Sequence, residues 1–360
     1  MQLLDTVERF VKERLQPAEV QVEADDAIPA DVISDMRDLG LFGLSIPTAH
    51  DGLGLTMEEE AEVAIFLGQT SPAFRLLIGT NNGIVSQGII LDGTALQKTH
   101  WLPKMAAGEA IGSFALTEPD TGSDAASIRL TAELNGGDYI LNGTKRYITN
   151  APIADVFTVL ARTERDIKGA KGISAFLVPA DLPGISVGKP DKKLGQHGTK
   201  TADVVFENCR VPATSIIGGE PGKGFATAMK VLNRGRLHIS AICVGAATRI
   251  LDDALAFAME RCQFGKPIAL FQLIQAQLAD SRAELMAGKA MVMEAARKRD
   301  RGEKVNLDAS CFVQKWLGGS LIGHCKFMVG QDIWRNTPSS VSTLMRACSA
   351  SMKEQARSSN

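Results

Sequence analysis

Two short runs carry the residue types whose spacing could do chemistry: FALTEPDTGSD at 114–124 and KRYITN at 145–150. The first gathers Thr117, Glu118, Thr121, Ser123 and Asp124 into a turn-rich loop behind the apolar lead-in Phe114, Ala115 and Leu116. A loop of this kind, with small hydroxyls and backbone N–H groups facing outward, suits a polar ring edge or phosphates. An ordinary turn cluster between two strands has the same composition, so turn chemistry alone leaves both readings open.

Other candidates fail on spacing. GGEPGKG at 218–224 resembles a phosphate loop, but it is one residue short and Gly224 stands where a hydroxyl is required. No Gly-x-Gly-x-x-Gly run lies between a strand and a helix, so the usual dinucleotide fold lacks its signature. Ser186, inside a Gly-x-Ser-x-Gly run at 184–188, lies among short strands, without the following helix that a nucleophile elbow needs. His50, His100, His197, His238 and His324 share no helical face at metal spacing and read as structural or surface residues. Cys209, Cys243, Cys262, Cys311, Cys325 and Cys348 form no Cys-x-x-Cys pair, which points away from zinc and from a disulfide scaffold.

The elements that must position the two runs follow from periodicity. Helical spacing recurs in Leu3, Val7, Phe10, Val11 and Leu15 and in Val32, Ile33, Met36 and Leu39, and it continues to about residue 108. Short apolar or β-branched runs then follow at 111–116, 139–142, 156–160, 173–178, 185–187 and 202–206, separated by glycine turns. Helical spacing returns over 225–260 and 267–297, joined by RCQFGKP at 261–267. The expected class is α+β: an N-terminal helical domain (1–109), a small central β domain (110–215), a C-terminal helical bundle (216–310) and an aberrant tail (311–360).

A chain of 360 residues with 45% hydrophobic content can build several cores. A net charge of -2 with scattered basic residues gives no reason to expect nucleic acid or an anionic membrane as partner. The start is amphipathic, with no apolar signal core, and no run reaches the length of a membrane span. The expectation is a cytoplasmic protein; a mature protein of the mitochondrial matrix has the same appearance.

With helix, β and helix in order, FALTEPDTGSD, KRYITN and RCQFGKPIALFQLIQAQLAD (261–280) together resemble the acyl-CoA dehydrogenase family, over about residues 11–308. The resemblance implies a flavoenzyme that binds FAD between the β domain and the last bundle and assembles as a dimer of dimers. Phe114, Leu116, Thr117, Gly122 and Ser123 would line the isoalloxazine ring, with Thr117 near its pyrimidine end. Tyr147, Ile148 and Thr149 would cover the other side, Thr149 bonding the locus that accepts hydride. Tyr147 stands where the family usually has tryptophan. Arg261, Gln263, Phe264, Phe271 and Gln272 match positions that hold the adenosine and pyrophosphate of FAD; an arginine suits a phosphate. Ser123, Asn233 and Arg236 match contacts to acyl-CoA, with Asn233 often aspartate in the family. Arg261 as a surface cation at a helix end, and Ser123 as a plain turn hydroxyl, stay open. The implied reaction removes an α proton from a thioester with a carboxylate base while the β hydrogen leaves as hydride, giving the 2,3-enoyl-CoA. An electron-transfer flavoprotein would take the electrons. A non-catalytic FAD or acyl-CoA binding protein, and a flavin oxidase or monooxygenase on the same scaffold, are the alternatives.

The base itself is unknown in this chain. The family carries its glutamate either just before the arginine matched by Arg236, where this chain has Gly235, or in a C-terminal Tyr-Glu-Gly-Thr, which this chain lacks. Composition shifts after Ser310, with three of six cysteines, Trp316, Trp334 and a serine-rich finish. A shifted codon frame from Lys315 onward permits MARRVADRALQVHGGAGYMAEYAVERFY, one unmatched position, then DARLFRIYEGTSEIQQ. Met328-Val329 forces glycine in that frame, and Thr343-Leu344 cannot supply the arginine common at the unmatched position. Two readings of the tail remain: a frame lost between about Cys311 and Lys315, or a diverged C-terminus.

Overall fold

A computed structural model describes residues 2–164, 166–167, 169–303 and 305; the readings placed on the 311–360 tail lie outside the described residues. Helices come first: α1 (Gln2–Phe10), α2 (Gln16–Asp25), α3 (Ala30–Asp38), α4 (Met57–Leu67), α5 (Pro72–Thr80), α6 (Ser86–Asp92) and α7 (Ala95–Ala106). Single π-helical turns, Val11–Leu15 and Asn81–Val85, carry α1 into α2 and α5 into α6. The starts of α4 and α7 are fixed locally: Thr56 with Glu59, and Thr94 with Gln97, close reciprocal capping boxes.

The period then changes to strands β1 (Gly112–Ala115), β2 (Thr131–Asn135), β3 (Asp138–Thr149), β4 (Val156–Arg162), β5 (Ile173–Pro179), β6 (Ile185–Val187) and β7 (Thr201–Pro212). All belong to one sheet. Strand β5 pairs antiparallel along the length of β4, while β1 runs parallel to its first half and β2 touches it at Thr131↔Arg162. Strands β2, β3, β7 and β6 follow as antiparallel neighbours. Strands β4 and β5 are buried on both faces, which is why they read as continuous apolar runs. Ser186 lies in the short strand β6.

The chain ends, within the described residues, in α8 (Gly224–Glu260), the two-residue strands β8 (Cys262–Gln263) and β9 (Lys266–Pro267), and α9 (Gln272–Asp300). The last helix therefore starts later than the expected 267. Phe264 and Gly265 both adopt positive φ, +52° and +77°, which makes the connection a tight hairpin and sends Lys266-Pro267 back along β8.

Helix α8 lies close against α4 because small residues let the backbones meet. A Cβ on Gly245 would sit 2.0 Å from the Ile65 carbonyl oxygen, and one on Gly68 would sit 2.4 Å from that of Ile242. A second packed layer joins helices to sheet: Val85, Ile89, Leu102 and Met105 meet Val156, Leu160, Ile173 and Leu177, with Ala228 of α8 alongside. The two loop runs emerge at this junction.

Candidate functional site

The apolar lead-in of the first run is β1. The loop after it is tied to β3, because KRYITN is the last part of that strand and its first turn out. Lys145 is fully buried, and its Nζ donates to Glu118 Oε1 at 2.8 Å and to the Leu116 carbonyl at 3.0 Å. Glu118 accepts two more hydrogen bonds, from the backbone N–H groups of Arg129 (2.6 Å) and Leu130 (2.9 Å). Burial pushes the Lys145 ammonium down to about 8, against the pull of Glu118 in the other direction. Two further bonds cross between the runs: Arg146 N–H to the Thr117 carbonyl at 2.8 Å, and the Ser113 hydroxyl to the Thr149 carbonyl at 2.6 Å. The expectation that the loop faces its polar groups outward is therefore corrected in part. Glu118 and Thr121 are buried, and they serve the loop's own architecture.

Asn150 attaches the same strand end to α5. Its amide Nδ2 donates to the carbonyls of Leu76 (3.1 Å) and Leu77 (3.3 Å) and to the Thr80 hydroxyl (2.9 Å). These ties enclose a cavity of about 240 Å³. One wall is Phe114, Leu116, Thr117, Tyr147, Ile148 and Thr149; the facing residues include Arg75, Gly79 and Thr80 of α5 and Leu232 of α8. Six of the sequence-predicted residues thus line one space.

The others lie elsewhere. Gly122 and Ser123 are exposed in the loop and do not line the cavity. Asn233 and Arg236 are exposed on α8, bonded to each other through Arg236 Nη1 and Asn233 Oδ1 at 2.7 Å. Arg261, Gln263, Phe264, Phe271 and Gln272 gather on the β8–β9 hairpin and the start of α9. There the Phe264 and Phe271 rings meet edge to face at 6.1 Å, and Lys266 Nζ lies 4.6 Å from the centre of the Phe271 ring. Arg261 follows the last turn of α8 and is exposed.

Backbone strain marks two of these positions. Among the described residues, the non-glycine positions with positive φ are Asp26, Asp51, Asn150 and Asn208, types common there, together with Gln196 and the two aromatics Tyr147 and Phe264. A bulky ring in the left-handed region costs on the order of 1–3 kcal/mol and persists where the surroundings or a function demand it. Tyr147 sits at a register shift of β3 against β7, with the Arg146 guanidinium 4.7 Å from its ring centre. Its side chain is 60% exposed and that of Phe264 92%, so both aromatic faces are offered outward. The exposed Tyr147 ring on strained backbone, beside a cavity lined by Phe114, Leu116 and the threonines Thr117 and Thr149, fits a large planar heterocycle. Sequence reasoning missed Arg75, Gly79, Thr80 and Leu232, because the helices that carry them show only ordinary apolar periodicity. It also missed Glu118 and Lys145 as the clamp, although both stood inside the quoted motifs.

Comparison with known proteins agrees in its order along the chain. The family models described as acyl-CoA dehydrogenase N-terminal, middle and C-terminal domains match residues 1–109, 113–209 and 222–322. The chain is 38% identical over 298 residues to the human mitochondrial short-chain specific acyl-CoA dehydrogenase, covering 83% of this chain and 72% of that one. It is similar in structure to butyryl-CoA dehydrogenase from Megasphaera elsdenii, with a TM-score of 0.90, 29% identity, and coverage of 96% of this chain and 91% of that one. A glutaryl-CoA dehydrogenase from Mycobacterium smegmatis, in complex with FADH2, matches with a TM-score of 0.86 and 29% identity over 96% of this chain and 89% of that one.

Proposed function

The chain belongs to the acyl-CoA dehydrogenase family, and from that premise we propose that it holds FAD against the two clamped runs for α,β-dehydrogenation of an acyl-CoA thioester. The observation that carries this reading is the cavity walled by Phe114, Leu116, Thr117, Tyr147, Ile148 and Thr149, with both runs locked together through Glu118 and Lys145. FAD bound there supplies the acceptor for the hydride that leaves the β carbon. Phe114, Leu116, Tyr147 and Ile148 offer apolar faces to its ring, and the Thr117 and Thr149 hydroxyls bond its polar edge. Arg261, Gln263, Phe264, Phe271 and Gln272 serve the adenosine and pyrophosphate. The near-complete exposure of Phe264 in the single chain favours a homo-oligomer, in which that surface meets a second copy. Ser123, Asn233 and Arg236 contact the acyl-CoA, and an electron-transfer flavoprotein receives the electrons.

The proton step needs a carboxylate beside the α carbon, and the tail supplies it in the shifted frame. There Met352 ends its codon in G and Lys353 begins with AA, so the pair reads GAA, glutamate, whichever lysine codon is used. The neighbouring codons permit Tyr before it and Gly-Thr after it. Glutamate at the one position where the chemistry requires it is thus forced and not chosen. As written, the chain lacks this base, which favours a second reading for this polypeptide: a protein that binds FAD and acyl-CoA and turns over little. Reconstitution with FAD tests the proposal. Uptake of stoichiometric FAD, with an absorbance change on adding a short-chain acyl-CoA, is expected; a chain that takes up neither contradicts it.

A further inference from the structure

Three consecutive glutamates follow Met57 in the first turn of α4, and each has a different partner. Glu58 pairs with Arg297 Nε at 2.7 Å, and Glu59 closes the cap at Thr56. Glu60 turns inward. It is fully buried, its Oε1 accepts from Arg234 Nη2, and its Oε2 lies 2.7 Å from His238 Nε2. Burial lowers the proton affinity of His238, which keeps the ring neutral with its hydrogen on Nε2. Asp300, the neighbouring carboxylate from α9, is taken by the N–H groups of Met57 and Glu58. Among the described residues, the side-chain hydrogen bonds that leave the 231–240 stretch of α8 for another element all end on Glu60.

A buried triad of this kind is a poor source of stability. Removing a carboxylate and a guanidinium from water costs about what their attraction returns, and apolar side chains of similar volume often hold a fold as well; setting a register is the better-attested use. The seam between α4 and α8 leaves that task open. Ala61, Ala64 and Ala241 share its core and Gly68 touches Gly245, side chains too small to key one helix to the other.

Arg234 and His238 stand one turn apart on one face of α8. At ~100° per residue, Leu232 and Arg236 form a second such pair, roughly 160° around the helix from the first. Leu232 reaches the cavity wall, and Arg236 is exposed and bonded to Asn233. Any rotation of α8 that released Glu60 would carry Leu232 and Arg236 away by the same angle.

We propose that Glu60 is a positioning residue: by holding Arg234 and His238 together it sets the rotation of α8, and so presents Asn233 and Arg236 to the acyl-CoA and Leu232 to the cavity. The inference rests on the reading of Asn233 and Arg236 as acyl-CoA contacts.

The test uses the full chain saturated with FAD, with butyryl-CoA as the probe and its dissociation constant read from the flavin absorbance change. The deciding variant combines Glu60→Leu, Arg234→Met and His238→Leu, so that no buried charge is left unpaired. Its urea midpoint should stay near that of the parent, while butyryl-CoA binds about tenfold or more weakly. Glu60→Gln, which can accept from only one of the two donors at a time, should lose a smaller part of the affinity. A triple variant that binds butyryl-CoA within about twofold of the parent would overturn the inference and leave the flavoenzyme reading in place. One that loses midpoint and affinity together would also overturn it, by making the triad a plain brace. Failure of the unaltered chain to bind butyryl-CoA would remove both readings. Should the triple variant not fold, Glu60→Gln decides: a loss of about threefold or more supports the inference, and unchanged affinity overturns it.

Discussion

Lys145→Met is the perturbation that most directly separates a designed cradle from an ordinary turn cluster. Lys145 is fully buried and Glu118 nearly so, 2.8 Å apart, and the pair joins the loop after β1 to strand β3. Removing one member of a buried ion pair costs about 3–5 kcal/mol, because the other charge is left uncompensated. Glu118 would keep its two backbone N–H donors, from Arg129 and Leu130, which places the expected loss near the low end, about 3 kcal/mol. Lys145→Gln retains a neutral donor and should cost less. Urea unfolding of the flavin-free chain measures the loss. The same variants should weaken FAD, since the bond from Arg146 N–H to the Thr117 carbonyl depends on the clamp; each tenfold rise in dissociation constant corresponds to about 1.4 kcal/mol. A methionine variant within about 1 kcal/mol of the parent would refute the energetic argument. Full destabilisation with unchanged FAD affinity would refute the link between clamp and cofactor.

Three further outcomes follow from the geometry. The depressed Lys145 pKa means that the unfolded chain binds more protons between pH about 8 and 10.5, so this group makes stability rise with pH across that window, by up to ~1.4 kcal/mol per unit. Denaturant midpoints at several pH values should show the slope, and Lys145→Met should flatten it. Gly245→Ala should destabilise the packing of α8 on α4 by at least about 2 kcal/mol, because its Cβ would meet the Ile65 carbonyl oxygen at 2.0 Å; a thermal shift within error of zero would contradict that contact. Gly235→Glu should add a carboxylate on α8 where nothing lies within 4 Å of a Cβ, and it should raise flavin reduction by acyl-CoA well above the parent; no increase would remove α8 as a route to the α carbon.

How much of this was legible in the sequence depends on how each segment meets solvent. Buried strands β4 and β5 announced themselves as apolar runs. Strand β3 was read only over 139–142, since its continuation through Lys145, Arg146 and Tyr147 breaks alternation at two register shifts. Strand β2 went unread because it buries Ala132 and little else. The late start of α9 followed from a hairpin whose turn places Phe264 at positive φ, a conformation that its residue type argues against. The six residues that line one wall of the cavity could be found because motifs carry them. Arg75 could not: an arginine on an apolar helix does not show the cavity it faces until the fold is closed.

Anaerobic mixing of FAD-loaded protein with acyl-CoA, in the chain as written and in one whose tail is restored to the shifted frame, tests the central claim most directly. The account predicts that both bind substrate and shift the flavin spectrum, and that bleaching is slower by about a hundredfold or more in the chain as written than in the restored one. Equal rates of bleaching in the two would contradict it.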